Sequence, residues 1–503
     1  MFRDCFSSSR RDHKRSVFLA GLVAATLSSA PAFADVTDEL LEQLRAKGVL
    51  TKGEFHKLKA RHAAEVQQKE QQKYAAPPGR KVVTKEGVIV VPDDRYVTRL
   101  DKGIGVRIGE VDVKLSGDLS FFATNGFKTQ GDAVVAGGIA GAASGSHVNN
   151  ASSIQAGLLP SALVVSLATH QMGYDLGFTL GLYTSGTNTH PGTFNANDAG
   201  SAVALGTPGI DLRQVFGTIG TPDFGTVKIG RDLGLFGADA ILFDQTLLGS
   251  GSLLATASPH NTTFGRIGVG YVYADWIPQV TYISPEFYGF TFSIGAFSPY
   301  QQFNSTGLSG TMTAHDQPGF QARLKYVGQL TPDLKLTAWV DGLTQQHRTE
   351  VGDAVFLTPG TNIRTSAVDG GLKFDLGALS LVGYGYYGSG LGTTGLYYDG
   401  ISIDGQKRNS SGFYGQAAYT FDGRFTVGGS YGASYLDANW IDYQPGFGNG
   451  TLVHSNSSWI GFGRYKLTDW VNIQGEYIHT ISRNALGGSL SSDAFVIGTT
   501  FFF

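Results

Sequence analysis

The thirteen residues Ser491-Ser-Asp-Ala-Phe-Val-Ile-Gly-Thr-Thr-Phe-Phe-Phe503 decide how the rest of the chain is read. From Phe495 onward one parity carries Phe495, Ile497, Thr499, Phe501 and Phe503; the other carries Val496, Gly498, Thr500 and Phe502. A β-strand sends alternate side chains to opposite faces, so one face here is bulky and largely apolar and the other is smaller. The chain then stops on an aromatic residue. In water an apolar strand left at a sheet edge invites aggregation. In a lipid-facing barrel the same strand pairs with the first one and the edge disappears. The competing reading of this stretch alone is the last strand of a soluble β-sandwich.

Composition favours the barrel. The chain has 503 residues with 70 glycines, 12% aromatic and 16% charged residues, and a mean hydropathy of −0.04. Those values suit apolar residues that alternate rather than cluster. Beyond the N-terminal region no run of eighteen apolar residues occurs, so spanning by helices is not expected and any crossing is made by strands.

Residues 1–34 read as a cleavable secretory signal. Arg10, Arg11, Lys14 and Arg15 form a basic start, Val17 to Leu27 an apolar core, and Ala32-Phe33-Ala34 a cleavage site. The single cysteine, Cys5, lies in this segment, so the mature chain is expected to lack disulfides, thiolate metal sites and cysteine nucleophiles. Residues 35–110 carry 15 Lys and Arg against 12 Asp and Glu, a net +3; residues 111–503 carry 18 against 27, a net −9. Neither region is basic enough for a nucleic-acid footprint.

Residues 35–78 predict a short α-helical or coiled-coil arm and a linker. Leu40, Leu41 and Leu44 precede a stop at Lys47-Gly48, and Thr51-Lys-Gly-Glu54 has capping-box spacing ahead of Phe55 and Leu58. A floppy periplasmic extension is the plainer alternative. Residues 79–110 form a connecting segment with β-rich pieces. At Val111 the texture changes: Val111, Val113, Leu115, Leu119 and Phe121 alternate with Asp112, Lys114, Ser116, Asp118 and Ser120. The pattern recurs to Phe503 and gives about sixteen antiparallel strands, an all-β transmembrane barrel over 111–503. Short connections such as Gln171-Met172 and Asp422-Gly423 alternate with long polar ones such as 125–157, 185–208, 388–410 and 437–457. Tight turns on one rim and long loops on the other are what such a barrel requires. Trp276, Trp339, Trp440, Trp459 and Trp470 are candidates for its interfacial aromatic girdles.

Three stretches resemble the Gram-negative outer-membrane general porins. They are Asp211-Leu-Arg-Gln-Val-Phe-Gly-Thr-Ile-Gly220 running into Thr221–Arg231, then Ile283-Ser-Pro-Glu-Phe-Tyr-Gly-Phe-Thr-Phe292, and Tyr465-Lys-Leu-Thr-Asp-Trp-Val-Asn-Ile-Gln-Gly-Glu-Tyr477. The terminal Phe501 and Phe503 resemble the signal read by the barrel-assembly machinery. The arm at 35–73 departs from general porins and is more like the coiled-coil prefix of certain substrate-selective porins. The resemblance implies a homotrimer of sixteen-stranded barrels in outer-membrane lipid, with the loop after the fifth strand folded into the lumen opposite basic wall residues. That loop is expected from Asp232 to about Arg266, with Asp232, Asp239 and Asp244 as its acidic residues. Strand parity makes Lys114, Arg213 and Lys228 the basic wall candidates, with Leu212 and Phe216 outward and Arg231 at a strand end or subunit interface.

A passive diffusion channel for ions and small hydrophilic solutes follows, with the −9 balance hinting at cation preference. An anion- or phosphate-selective porin is the second reading. An outer-membrane enzyme has little behind it: His170, His260, His454 and His479 sit in no nucleophile motif, and no P-loop or HExxH zinc motif occurs, so neither metal nor cofactor is expected. A tether that reaches the cell wall through residues 35–78 is compatible with either channel.

Overall fold

The computed structural model describes residues 80–84, 87–91, 96–100, 102–140, 151–184, 210–254, 262–307, 314–349 and 357–503. The expected signal at 1–34 and the arm at 35–78 lie outside them. The chain divides into two units, 1–95 and 96–503. In the first, β1 (Arg80–Thr84) and β2 (Gly87–Val91) pair as an antiparallel hairpin.

The second unit is a closed antiparallel barrel. Its short strands β3 (Val97–Arg99) and β4 (Ile104–Ile108) form a hairpin on the lower edge of β5 (Val111–Gln130). Next come β6 (Ala151–Gln155), β7 (Ser161–Gln171), β8 (Tyr174–Thr184), β9 (Ile210–Thr221), β10 (Gly225–Leu233), β11 (Trp276–Ile283) and β12 (Phe290–Phe297). The circuit continues through β13 (Gly319–Thr331), β14 (Leu334–Arg348), β15 (Asn362–Leu376), β16 (Leu379–Ser389) and β17 (Asn409–Phe421). It ends with β18 (Phe425–Leu436), β19 (Val453–Lys466), β20 (Val471–Asn484) and β21 (Ser489–Phe502). Sixteen of these, β5 and β7 to β21, are full staves.

The terminal strand closes the wall. β21 pairs with β5 from Asp493↔Phe127 to Phe502↔Asp118. The last residue is tied in as well: the Phe503 N–H donates to the Gly117 carbonyl and the Gly117 N–H to the Phe503 carbonyl, both at 3.1 Å. Phe495, Ile497, Phe501 and Phe503 lie on the exposed outer face, while Val496 and Thr500 are buried inside. With no edge left, every stave has a partner on both sides, which is the condition for crossing hydrocarbon.

Local chemistry sets the two rims. At Asp422-Gly423 (φ 48° and 64°) and Met172-Gly173 (φ 51° and 86°) both central residues are left-handed. That is the hairpin turn whose twist matches the flanking strands. Next to the short turns, aromatic rings gather in pairs: Phe421 with Phe425, Phe290 with Tyr326, Phe224 with Tyr282 and Trp470 with Phe503. A second outer group of Phe413, Tyr431 and Trp459 lies across β17 to β19. These are the interfacial belts a bilayer-crossing barrel needs. Trp339 departs from the expectation. It shares a face with Asp341 and Thr337, so it points into the barrel and is buried.

The strands run further at the long-loop rim than side-chain alternation indicates. β5 continues to Gln130 and β14 to Arg348, β19 starts at Val453, and β6 lies within a stretch read as loop. Ladder hydrogen bonds persist there after the outer side chains have turned polar. The long connections then pack onto one another: Arg408 donates to both Asp442 oxygens (2.8 and 2.5 Å) and to Asn304 (3.0 Å), all three residues buried.

The outer face supplies a test. Replacing mid-strand Ile497 by Arg puts a cation where hydrocarbon lies and is expected to cost about 2–4 kcal/mol. Urea unfolding from lipid vesicles, followed by tryptophan fluorescence, measures it.

Candidate functional site in the barrel lumen

The connection between β10 and β11 turns inward, and its described residues 234–254 and 262–275 pack on the inner wall. Gly237 makes the bend at φ 77°, where a Cβ would sit 2.7 Å from the Val272 carbonyl oxygen. A six-residue helix, α1 (Ala238–Phe243), follows, then a 3₁₀ turn at Gln245–Leu248 capped by the Asp244 side chain.

Wall side chains take up the backbone groups this segment would otherwise leave unpaired. The Leu235 and Phe236 N–H groups donate to Gln321 Oε1 (2.7 and 2.9 Å), and the Gly237 N–H to Asp369 Oδ2 (2.7 Å). Gln245 donates its N–H to Gln416 Oε1 (2.9 Å), and its carbonyl accepts from Arg464 Nη2 (2.8 Å). Ser250 and Gly251 both donate to Glu476 Oε2 at 2.9 Å. At Gly249 a Cβ would lie 2.1 Å from Glu476 Oε1, so a larger residue there would have to displace the carboxylate that holds Ser250 and Gly251. The segment is thus held from β13, β15, β17, β19 and β20. Its apolar residues Leu235, Phe236, Ala240, Ile241 and Tyr271 bury against inward Trp339, Leu343, Tyr384 and Tyr414.

Charged groups fix the helix. Asp239 receives Lys325 Nζ at 2.6 Å, and Arg323 Nη1 lies 3.2 Å from its second oxygen. Arg323 also holds Asp341 through two bonds of 2.8 and 3.0 Å and donates to the Leu235 carbonyl. Asp244 accepts from the Thr246 N–H and hydroxyl (2.9 and 2.7 Å) and the Tyr271 hydroxyl (2.9 Å). Burial raises the Asp244 carboxyl above its usual range, opposed by the nearby Arg266 charge and these hydrogen bonds. Arg266, fully buried, donates to Ser430 Oγ and to the carbonyls of Val269 and Ser458.

A profile of the Gram-negative porins matches residues 105–485. The chain belongs to that family. It is therefore an outer-membrane channel protein, and members of this family are typically non-enzymatic channels. The crystal structure of the outer-membrane channel DcaP of Acinetobacter baumannii is similar at TM-score 0.55 and 14% identity, over 81% of this chain and 99% of that one. An anion-selective porin from Comamonas acidovorans matches at TM-score 0.50 and 14% identity, over 78% and 100%. No curated protein sequence matches.

Within this porin the six charged candidates fall at three places. Asp239 and Asp244 are on the inward segment, buried and paired as described. Asp232 is not in the loop: β10 runs through Leu233, and Asp232 is a buried wall residue paired with Lys228 and accepting from Gln214 (3.0 Å). Arg213 also faces inward, pairing with Asp211 at 2.8 Å and lying 5.3 Å over the Tyr183 ring. Lys114 is exposed near the turn end of β5, opposite Gly105 and Ser166, away from that group. The inward segment runs to Asp275 rather than Arg266.

Phe216 faces inward, against the parity expectation, because Lys228 Nζ stands 5.0 Å over its ring. The cause is a register shift: Gly181 pairs with Gln214 but Leu182 with Leu212. One extra residue in β9 puts both Arg213 and Gln214 inside and reverses the parity beyond them. Sequence reasoning passed over Arg323, Lys325, Asp341, Asp369, Lys373 and Glu476. The spacing of Gln321, Arg323 and Lys325 at alternate positions of β13 was the available signal.

Glu476→Leu removes the acceptor of two buried N–H groups and is expected to cost about 2–4 kcal/mol. Urea unfolding gives the loss, and single-channel recordings are expected to show noisier open-channel current than the parent's.

Proposed function

We propose that this porin is a passive diffusion channel for ions and small hydrophilic solutes, narrowed by the inward segment, residues 234–254 and 262–275, as a constriction. The observation that carries this reading is the anchoring of that segment to wall side chains of five strands, which occupies part of an otherwise open cylinder. No bond need be made or broken in such a device. Aperture size and local field decide what passes.

The same geometry favours an anion-preferring channel over a cation-preferring one. Asp232, Asp239, Asp244, Asp341, Asp369 and Glu476 are all buried, whereas the Lys228, Lys325 and Lys373 side chains keep 19%, 28% and 19% of their exposure; the carboxylate left open among them is Asp375, the partner of Lys373, at 34%. Charge that solvent reaches acts on a passing ion more than charge sealed behind a loop. The proposal also takes residues 1–34 as a removed signal, 35–78 as an accessory arm that contacts the cell wall, and 79–110 as a connector. The barrel is placed as a homotrimer, assembled by machinery that reads Phe501 and Phe503. The signal and the arm are supported by the residue patterns of 1–34 and 35–78, and the trimer and assembly signal by the sequence resemblance.

The experiment is reversal potential in planar bilayers under a KCl gradient. Chloride is expected to be preferred, and Lys325→Glu with Lys373→Glu is expected to lower the chloride-to-potassium permeability ratio severalfold. Current steps closing in threes fit the trimer. Potassium preference in the unaltered protein rejects the anion reading and leaves the channel. A protein lacking residues 35–78 is expected to conduct as the full chain does; insertion without conductance rejects an accessory arm.

A further inference from the structure

Among the described residues of the inward segment the most accessible side chain is apolar, Leu242. In α1, Asp239 and Phe243 stand one turn apart on the same face, and both reach Lys325. Asp239 is buried there. Phe243 is half-buried, with Trp339 behind its ring at 5.3 Å, and the neighbouring Leu242 is 53% exposed. Two ammonium groups flank the Phe243 ring: Lys325 Nζ at 5.2 Å and Lys373 Nζ at 5.7 Å. Lys325 is bonded to Asp239 and Lys373 to Asp375, and each side chain stays partly exposed. An ammonium has three N–H donors, so one carboxylate partner does not exhaust it.

The lip of the constriction therefore presents two kinds of surface within one small area. A hydrated inorganic anion gains only from the lysines. A neutral apolar solute gains only from Leu242 and the Phe243 edge. A small organic anion with an apolar body gains from both at once, placing its charge by the ammoniums and shedding water from its body against the lip.

We propose that Leu242, Phe243, Lys325 and Lys373 form a binding subsite for small organic anions carrying an aromatic or branched apolar group. This rests on the channel reading above and adds the solute class. The apolar lip slows such an anion at the narrow point and concentrates it there, while acetate-sized anions pass on charge alone. The subsite sets specificity and does no chemistry.

The test uses the full chain in planar bilayers with symmetric KCl, adding benzenesulfonate or methanesulfonate to one side. Both stay charged throughout the accessible pH range, so charge is held constant and only the apolar body changes. Benzenesulfonate is expected to halve the chloride current at a concentration about fivefold below that for methanesulfonate, the ratio about 1 kcal/mol supplies. Leu242→Asn is expected to erase that ratio while leaving chloride preference in place. Lys373→Gln is expected to weaken both sulfonates together. If the two sulfonates act alike on an anion-selective channel, the subsite is overturned and the channel reading stands. If Leu242→Asn leaves the ratio intact, the lip is not its source and the subsite is likewise overturned. Absence of any current from an inserted barrel overturns the channel reading together with the subsite.

Discussion

Closure of the wall is the constraint on which the rest depends. In hydrocarbon a backbone N–H or C=O has no water to turn to, so a spanning sheet must satisfy every such group within itself. The pairing of β21 with β5 does this, down to the reciprocal bonds between Phe503 and Gly117. The bulky outer parity of β21 follows from the same condition. A closing strand shows one face to lipid along its length, so Phe495, Ile497, Phe501 and Phe503 have no reason to be polar.

Once closed, the cylinder creates a second problem inside. Its inner face can only be occupied by side chains, water or chain from the loops, and here residues 234–254 and 262–275 enter. An irregular segment brings unpaired amides with it, and those amides need acceptors on the wall. Glu476, Asp369, Gln321 and Gln416 supply them, and inward Trp339, Tyr384 and Tyr414 supply apolar cover. Acidic wall residues are thus consumed in seating the loop. Of the loop's own acidic residues, Asp239 is consumed by the wall cations Lys325 and Arg323, and Asp244 by Thr246 and Tyr271 of the segment itself.

This explains what could be read from sequence and what could not. The barrel, its strand count and its alternating short and long connections were legible because period-two patterning and Asp-Gly turns are local signals. Strand ends at the long-loop rim were less so, since the ladder outlasts the apolar pattern at β5, β14 and β19. Parity failed at Phe216 because one inserted residue at Arg213–Gln214 reverses every position after it, and nothing in the local composition marks the insertion. Trp339 was misassigned for a related reason: an aromatic residue suits a lipid girdle and a loop-covered lumen equally well, and the sequence does not say which loop enters.

Net charge was the least transferable reading of all. A balance of −9 over residues 111–503 weights every carboxylate alike. A solute in the lumen does not. Asp239, Asp341 and Asp369 surround Arg323 and Lys325 behind α1, where their fields largely cancel against adjacent cations. What reaches the aqueous path is the difference between groups left uncovered, and on the wall beside α1 those are Lys325, Lys373 and the Asp375 paired with it. The inward segment therefore does more than fill part of the cylinder. By covering wall residues such as Asp341 and Asp369, it separates the charge this chain carries in sum from the charge left uncovered inside the barrel.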